Sequence, residues 1–268
     1  MNISFFYESL DLGGQQTYTL EIMRCLKDKG HELNYFFCQN PETLKKQFEE
    51  ISKVIKLSTL LEDGQYRRAP WKVLFITLSL ISEIKNLNTD VIISGSGLSS
   101  LICGLAAKFT GVKHYRLVGC SLKQVEPTLF RFYELLRIDK LIDVYFGFDS
   151  VFDELKEKNV AEEKFIHLPL AVNHEKFFPL KESEILSLRS TLNIDEKEIV
   201  IGWVGRICKT MQVWNTAKLG RRLLDEGFSG FKLLFVGGGP DFKVLKDYLD
   251  DLGITDISIC TNWVPYEE

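Results

Sequence analysis

Ile201-Gly202-Trp203-Val204-Gly205-Arg206 and, further on, Leu234-Phe235-Val236-Gly237-Gly238-Gly239-Pro240 are two apolar runs that each close on glycine. A short apolar run ending in a glycine turn and followed by helical sequence reads as strand, turn and helix. Two such units in succession set their turns side by side at the carboxyl edge of a parallel sheet, where open α/β sheets receive ligands. Backbone N–H groups at the following helix starts then face the same crevice as Arg206, an arrangement suited to a phosphate. Lys209, just beyond Arg206, adds a second cation for a diphosphate. Three glycines ending the second run let a ligand approach the backbone closely. The plainer alternatives are a surface Arg and Lys that cap loop carbonyls, and a turn with no ligand.

Upstream, the same alternation runs back to the first residues. Strand-like runs at 3–7, 32–38, 91–94, 113–118, 143–148 and 164–168 alternate with helical patterns at 16–29, 71–85, 98–109, 128–136 and 150–158. This βαβ rhythm predicts a parallel, doubly wound, Rossmann-like domain over residues 1–170. Leu168-Pro169-Leu170-Ala171-Val172-Asn173 leads through Phe177-Phe178-Pro179 into a charged helix at 181–192, which reads as a hinge into a second unit over 171–268. That unit alternates strand 198–204, helix 212–226, strand 232–236, helix 241–252 and strand 257–263. The fold class is therefore α/β, with two Rossmann-like doubly wound domains, the second incomplete.

The bulk numbers narrow the function. At 268 residues, 45% hydrophobic and 26% charged, the chain is ordinary globular material. A formal net charge of −4 speaks against a nucleic-acid partner. Cys25, Cys38, Cys103, Cys120, Cys208 and Cys260 form no C-x-x-C pair and no zinc-like grouping, so free, mostly buried thiols in a reducing cytoplasm are expected. The first residues lack the pattern of a secretory leader, and the longest apolar run, 73–81, is far short of the ~18 residues of a membrane span. Arg67, Arg68, Trp71 and Lys72 precede an apolar helix; a solvated helix start is the first reading, and rest on an anionic membrane surface the second.

Asp11-Leu12-Gly13-Gly14-Gln15-Gln16-Thr17 joins the first strand to the first helix. Its N–H groups suit an anion, while the plainer reading is a tight turn that needs positive φ. It is not a G-x-G-x-x-G fingerprint, so no dinucleotide cofactor is indicated. His31, His114, His167 and His174 have neither metal nor triad spacing and read as structural.

Taken in order, Leu12-Gly13-Gly14, the segment from Leu168 to Pro179, Val204-Gly205-Arg206 and Val236-Gly237-Gly238-Gly239-Pro240 resemble the retaining family-4 glycosyltransferases of the GT-B fold. The segment Leu168 to Pro179 is similar to that family's "I-P-N-G-V-D-x-x-x-F-x-P", and Gly237 to Pro240 to its "G-x-G-P" turn. The resemblance implies two Rossmann-like domains, a nucleotide-sugar donor linked to UDP or GDP and held by the C-terminal one, and a glycan or lipid-linked acceptor on the N-terminal side. It implies no metal and no further cofactor, with polysaccharide or glycoconjugate synthesis as the setting. Arg206 and Lys209 would be catalytic, stabilising charge on the departing diphosphate. Gly13, Gly14, Gly205, Arg206, Gly237, Gly238, Gly239, Trp263 and Val264 would bind the donor, Gly13 and Gly14 from the opposite wall. The implied location is cytoplasmic, peripheral at the inner membrane face.

Departures accompany the resemblance. Met211 stands where the family carries a lysine, no histidine occurs in Arg116-Leu117-Val118-Gly119-Cys120, and "N-G-V-D" has become Leu170-Ala171-Val172-Asn173. The sequence stops at Trp263-Val264-Pro265-Tyr266-Glu267-Glu268, before the family's Glu-x7-Glu segment, and so reads as cut short. A truncated, non-catalytic remnant that binds a glycan or partner is the alternative reading.

Overall fold

The computed structural model describes residues 1–40, 42–57, 70–95, 97–119, 134–157, 159–169, 172–175 and 177–264. The chain divides into two compact units, Met1–Asn173 and His174–Glu268.

The first unit runs β1 (Asn2–Phe6), α1 (Gly14–Asp28), β2 (Glu32–Phe37), α2 (Lys45–Glu49), β3 (Lys53–Lys56), α3 (Pro70–Asn86), β4 (Val91–Ser94), α4 (Gly97–Thr110), β5 (Lys113–Leu117), β6 (Val144–Gly147), α5 (Asp149–Lys156) and β7 (Phe165–His167). Its seven strands form one sheet in the order β3-β2-β1-β4-β5-β6-β7, with every pair parallel. The order reverses at β1, which lies between β2 and β4, so a crevice opens at the carboxyl end of that strand.

Alternation within the strands sends side chains to two separate cores. Phe5, Tyr35, Phe37, Ile93 and Leu117 pack with Leu20 and Met23 of α1, while Phe6, Phe36 and Ile92 pack with Ile76 and Leu80 of α3 and Ile102 and Ala106 of α4. Both faces are covered, which is why β1, β2 and β4 are buried at almost every position, the polar Ser4, Asn34 and Ser94 included. The first helix ends where Gly30, at φ +79°, donates its N–H to Lys27 O at 2.8 Å and His31 donates to Leu26 O at 3.2 Å. This is the left-handed glycine stop that returns the chain to the sheet.

Two elements escape the sequence pattern. Lys45–Glu49 is too short to show a helical period, and β3 offers only Val54 and Ile55 between two lysines because it is an edge strand bonded to β2 alone. The helix expected over 128–136 falls largely outside the described residues, as do Leu170 and Ala171 of the expected hinge.

His114 is structural, as its spacing suggested. It is buried on β5, with Nε2 2.8 Å from Ser94 Oγ and Nδ1 3.1 Å from Leu141 O. The carbonyl fixes the proton on Nδ1, leaving Nε2 to accept from the serine. Burial, together with the Arg116 charge, lowers its pKa to about 3 despite the Leu141 hydrogen bond, so the ring is neutral. The expectation of mostly buried thiols is corrected: the described cysteines are free, yet only Cys38 and Cys103 are buried, Cys208 and Cys260 are half-buried, and Cys25 is exposed on α1.

The second unit runs α6 (Glu182–Thr191), β8 (Ile199–Val204), α7 (Trp214–Asp225), β9 (Phe231–Val236), α8 (Phe242–Asp251) and β10 (Ser258–Asn262). Its three strands are parallel in the order β10-β9-β8. Phe231, Leu233 and Phe235 of β9 pack with Ala217 of α7 and Leu245 and Leu249 of α8, so both helices lie on one face. Val200, Leu234, Val236 and Ile259 on the other face are only half-buried and join no packed cluster among the described residues.

Candidate functional site

The turns after β8 and β9 lie side by side. Gly205 donates its N–H to Val236 O at 3.0 Å, Ile207 to Gly238 O at 2.9 Å, and Gly237 to Asn262 O at 3.0 Å. All three strand ends are thereby laced into one ledge at the carboxyl edge of the sheet. Arg206 and Lys209 are exposed along it. Lys209 opens a single 3-10 turn, Lys209–Met211, and its backbone N–H donates to Asp241 Oδ2 at 2.8 Å. Asp241 precedes α8, and its carboxylate, turned toward Lys209, makes no side-chain cap to its own helix. No acid lies within the first turn of α8, and the one carboxylate at its start, Asp241 at the N-cap position, bonds to Lys209 instead of to the helix.

The glycines of the second turn have a different reason from the one the sequence suggests. At Gly237, with φ +130°, a β-carbon would fall 2.0 Å from Gly205 O; at Gly239, with φ +159°, it would fall 2.2 Å from Ile207 O. At Gly238 it would meet Trp263 Cδ1 at 2.4 Å. The missing side chains thus make room for the neighbouring turn and for the Trp263 indole, rather than for close approach of a ligand on those sides. Trp263 walls the ledge at Gly238, and Val264 follows it, half-buried.

Beside the ledge, Lys209 lines a pocket of about 440 Å³ together with Gln212, Trp214, Asn215, Lys218, Val244 and Tyr248. Trp214 meets Tyr248 edge to face, with ring centroids 5.6 Å apart. Two lysines beside an apolar, aromatic wall can neutralise an anion and pack the flat body that carries it. Sequence reasoning missed Lys218, although its signal is legible: residues 214 and 218 share a helix face. Met211, half exposed, ends the 3-10 turn and brings no charge.

In the first unit the Gly13-Gly14 turn is corrected in one respect. Gly13 is extended at φ −162° and caps α1, and neither glycine has positive φ. A β-carbon on Gly13 would crowd Gln16 Oε1 at 2.9 Å, while one on Gly14 would meet nothing within 4 Å. The start of α1 has no side-chain cap and no acid in its first turn. The start of α4, at the same sheet edge, already holds a carboxylate, because Ser99 N–H donates to Glu8 Oε1 at 3.0 Å. Of these two helix starts, α1 is the one open to an outside anion. Among the described residues no group of three or more His, Cys, Asp or Glu side chains is placed to hold a metal ion, and no helix is long and apolar enough to cross a membrane.

The same arrangement of strands and helices recurs in solved structures. HepE of Anabaena, crystallised with UDP and glucose, matches with a TM-score of 0.78 at 13% identity, over 99% of this chain and 70% of that one. The fold is GT-B. Sucrose-phosphate synthase from Thermosynechococcus elongatus matches at 0.74 and 12% identity, over 99% of this chain and 71% of that one. WaaG, a glycosyltransferase involved in lipopolysaccharide biosynthesis, matches at 0.70 and 13% identity, over 98% and 70%. No protein-family model matches this GT-B chain, and no curated protein matches it in sequence.

Proposed function

We propose that this GT-B chain is a glycosyltransferase that takes a sugar from a UDP- or GDP-linked donor and passes it, with retention, to a glycan or lipid-linked acceptor. The observation that carries the reading is the ledge of the second unit, where laced strand ends present Arg206 and Lys209 beside the uncapped start of α8. The fold likeness to HepE, which was crystallised with UDP and with UDP-glucose, supports the same choice of ligand. Glycosidic cleavage of a nucleotide sugar leaves negative charge on the diphosphate. Cations and N–H dipoles aimed at that group stabilise the transition state more than the ground state, which lowers the barrier. Arg206 suits the role through its planar fork of donors, and Lys209 as a mobile point charge. On this reading the protein needs no metal or cofactor, acts from the cytoplasmic side, and uses residues 1–170 for the acceptor and 171–268 for the donor.

Calorimetry with UDP and GDP tests the donor site. The wild-type chain should bind at least one of them, and Arg206→Ala should weaken it about tenfold or more, the loss expected for a hydrogen bond to a charged group. A folded protein that binds neither nucleotide, or an Arg206→Ala variant of unchanged affinity, would rule the donor site out.

A further inference from the structure

The pocket beside the ledge has a composition that the donor reading leaves unused. Its walls come from α7 and α8, and the turn that carries Lys209 closes one end. Trp214 and Tyr248, both half-buried, stand at 82° to each other, so they make a corner rather than a slot with parallel sides. A flat base held between rings needs the slot. A puckered ring with C–H bonds on its faces rests in the corner, because aromatic faces carry the negative end of their quadrupole. Val244 continues the apolar wall from α8. At the mouth, Asn215 Nδ2 donates to Gln212 Oε1 at 3.1 Å, and the tied pair still offers an acceptor, Asn215 Oδ1, and a donor, Gln212 Nε2, to hydroxyl groups. Gln212 sits at φ +52°, a left-handed conformation that glycine adopts more cheaply and the kind of outlier that gathers at ligand sites.

We infer that this pocket binds an acidic sugar residue of a glycan, at a site separate from the one for the donor. Charge selects the acidic sugar. Lys209 and Lys218 come from two different elements, and no carboxylate lines the pocket. The acids around it are placed elsewhere: Asp241 accepts from the backbone N–H of Lys209, Asp225 and Glu226 pair with Arg221 and Arg222, and Asp247, exposed on α8, lies outside the lining. Lys246 is outside it too, with Nζ 5.2 Å from the centre of the Phe242 ring. A neutral sugar would meet the corner and the amides and gain nothing from the two ammonium groups, whereas a carboxylate on the ring gains from both. A cavity of about 440 Å³ falls in the range of small-ligand sites and suits a sugar ring with part of its neighbour rather than a folded partner. Lys209 borders both the ledge and the pocket, but Lys218 borders the pocket alone. The inference therefore stands on Lys218 and the aromatic corner and does not rest on the donor reading.

Calorimetry on the full chain with tetragalacturonate and with its methyl ester tests the inference, since the two share their rings and hydroxyls and differ in charge. Wild type should bind the acid, and the ester at least about tenfold more weakly. Lys218→Ala should lower the affinity for the acid about threefold or more, the size of an exposed ion pair. Val244→Glu, which sets a carboxylate in the wall on a residue 50% exposed, should lower it further. Lys246→Ala, outside the pocket, should leave it unchanged. Far-UV circular dichroism should match wild type in all three variants, because each changes an exposed side chain. Arg206→Ala, which weakens the donor site, should keep the affinity for the acid. No binding of the acid by wild type, equal affinity for acid and ester, or a loss in Lys246→Ala as large as in Lys218→Ala would overturn the inference. So would loss of the acid in Arg206→Ala, because the pocket would then be part of the donor site. UDP and GDP titrations read that site by itself, so either reading can fail alone.

Discussion

The two sheets differ in how their strands are covered. Strands β1 and β2 are buried at nearly every residue, whereas β8 has no buried residue and β9 alternates buried and half-buried positions. Helices pack on both faces of the first sheet and on one face of the second. Apolar runs of the same appearance therefore do different jobs. In the first unit both pleats hold the core; in the second one pleat holds the core, and the strand ends carry the turns proposed to meet the donor.

Breaking the comparison at its strongest point, Phe6→Ala should cost about 3–5 kcal/mol in urea unfolding, because it empties a fully enclosed site. Val204→Ala, on a residue 78% exposed, should shift stability by no more than about 0.5 kcal/mol. Comparable losses at the two positions would mean that the open face of the second sheet is covered after all. Next in size is a contrast of glycines. Gly237→Ala forces a β-carbon against Gly205 O at a φ of +130° and should cost about 2–4 kcal/mol, whereas Gly14→Ala, with nothing within 4 Å, should be neutral or gain a few tenths from helix propensity. Thermal melts of the two variants separate a steric glycine from a permissive one.

The last of these effects depends on pH. His114 titrates near 3 when folded and near 6.5 when free, so the unfolded chain takes up a proton that the native site refuses. Stability is complete above pH 6.5 and falls as the pH drops from there toward 3, at about 1.4 kcal/mol per pH unit. Unfolding curves from pH 6.5 down to about 5 should show that slope in wild type, and His114→Gln should flatten it. An unchanged slope in the variant would assign the dependence to other groups.

Much of the architecture was legible beforehand because it follows from local rules. Residues 91–94 form the strand that the apolar run Val91–Ile93 predicts, and the helices at Gly97–Thr110 and Phe242–Asp251 lie within a residue of their expected bounds. The expectations faltered where the local signal is thin: at the edge strand Lys53–Lys56, the five-residue helix before it, and the exposed cysteines. Of the candidate site, Gly205, Arg206 and Gly237 were legible as turn residues, since a glycine after an apolar run marks a strand end. That Gly237 yields its space to Gly205, that Lys209 is tied to Asp241, and that Lys218 lines the same pocket were not.

The division has a physical cause. Periodicity of apolar residues and the φ freedom of glycine are properties of a few neighbouring residues, so the sequence alone determined the α/β class, the succession of strands and helices and the places where the chain turns. Which faces of those strands are covered and which helix starts already hold a carboxylate depend on residues far apart in the chain. Burial and hydrogen bonding are settled only when those residues meet, and that was decided by the tertiary structure.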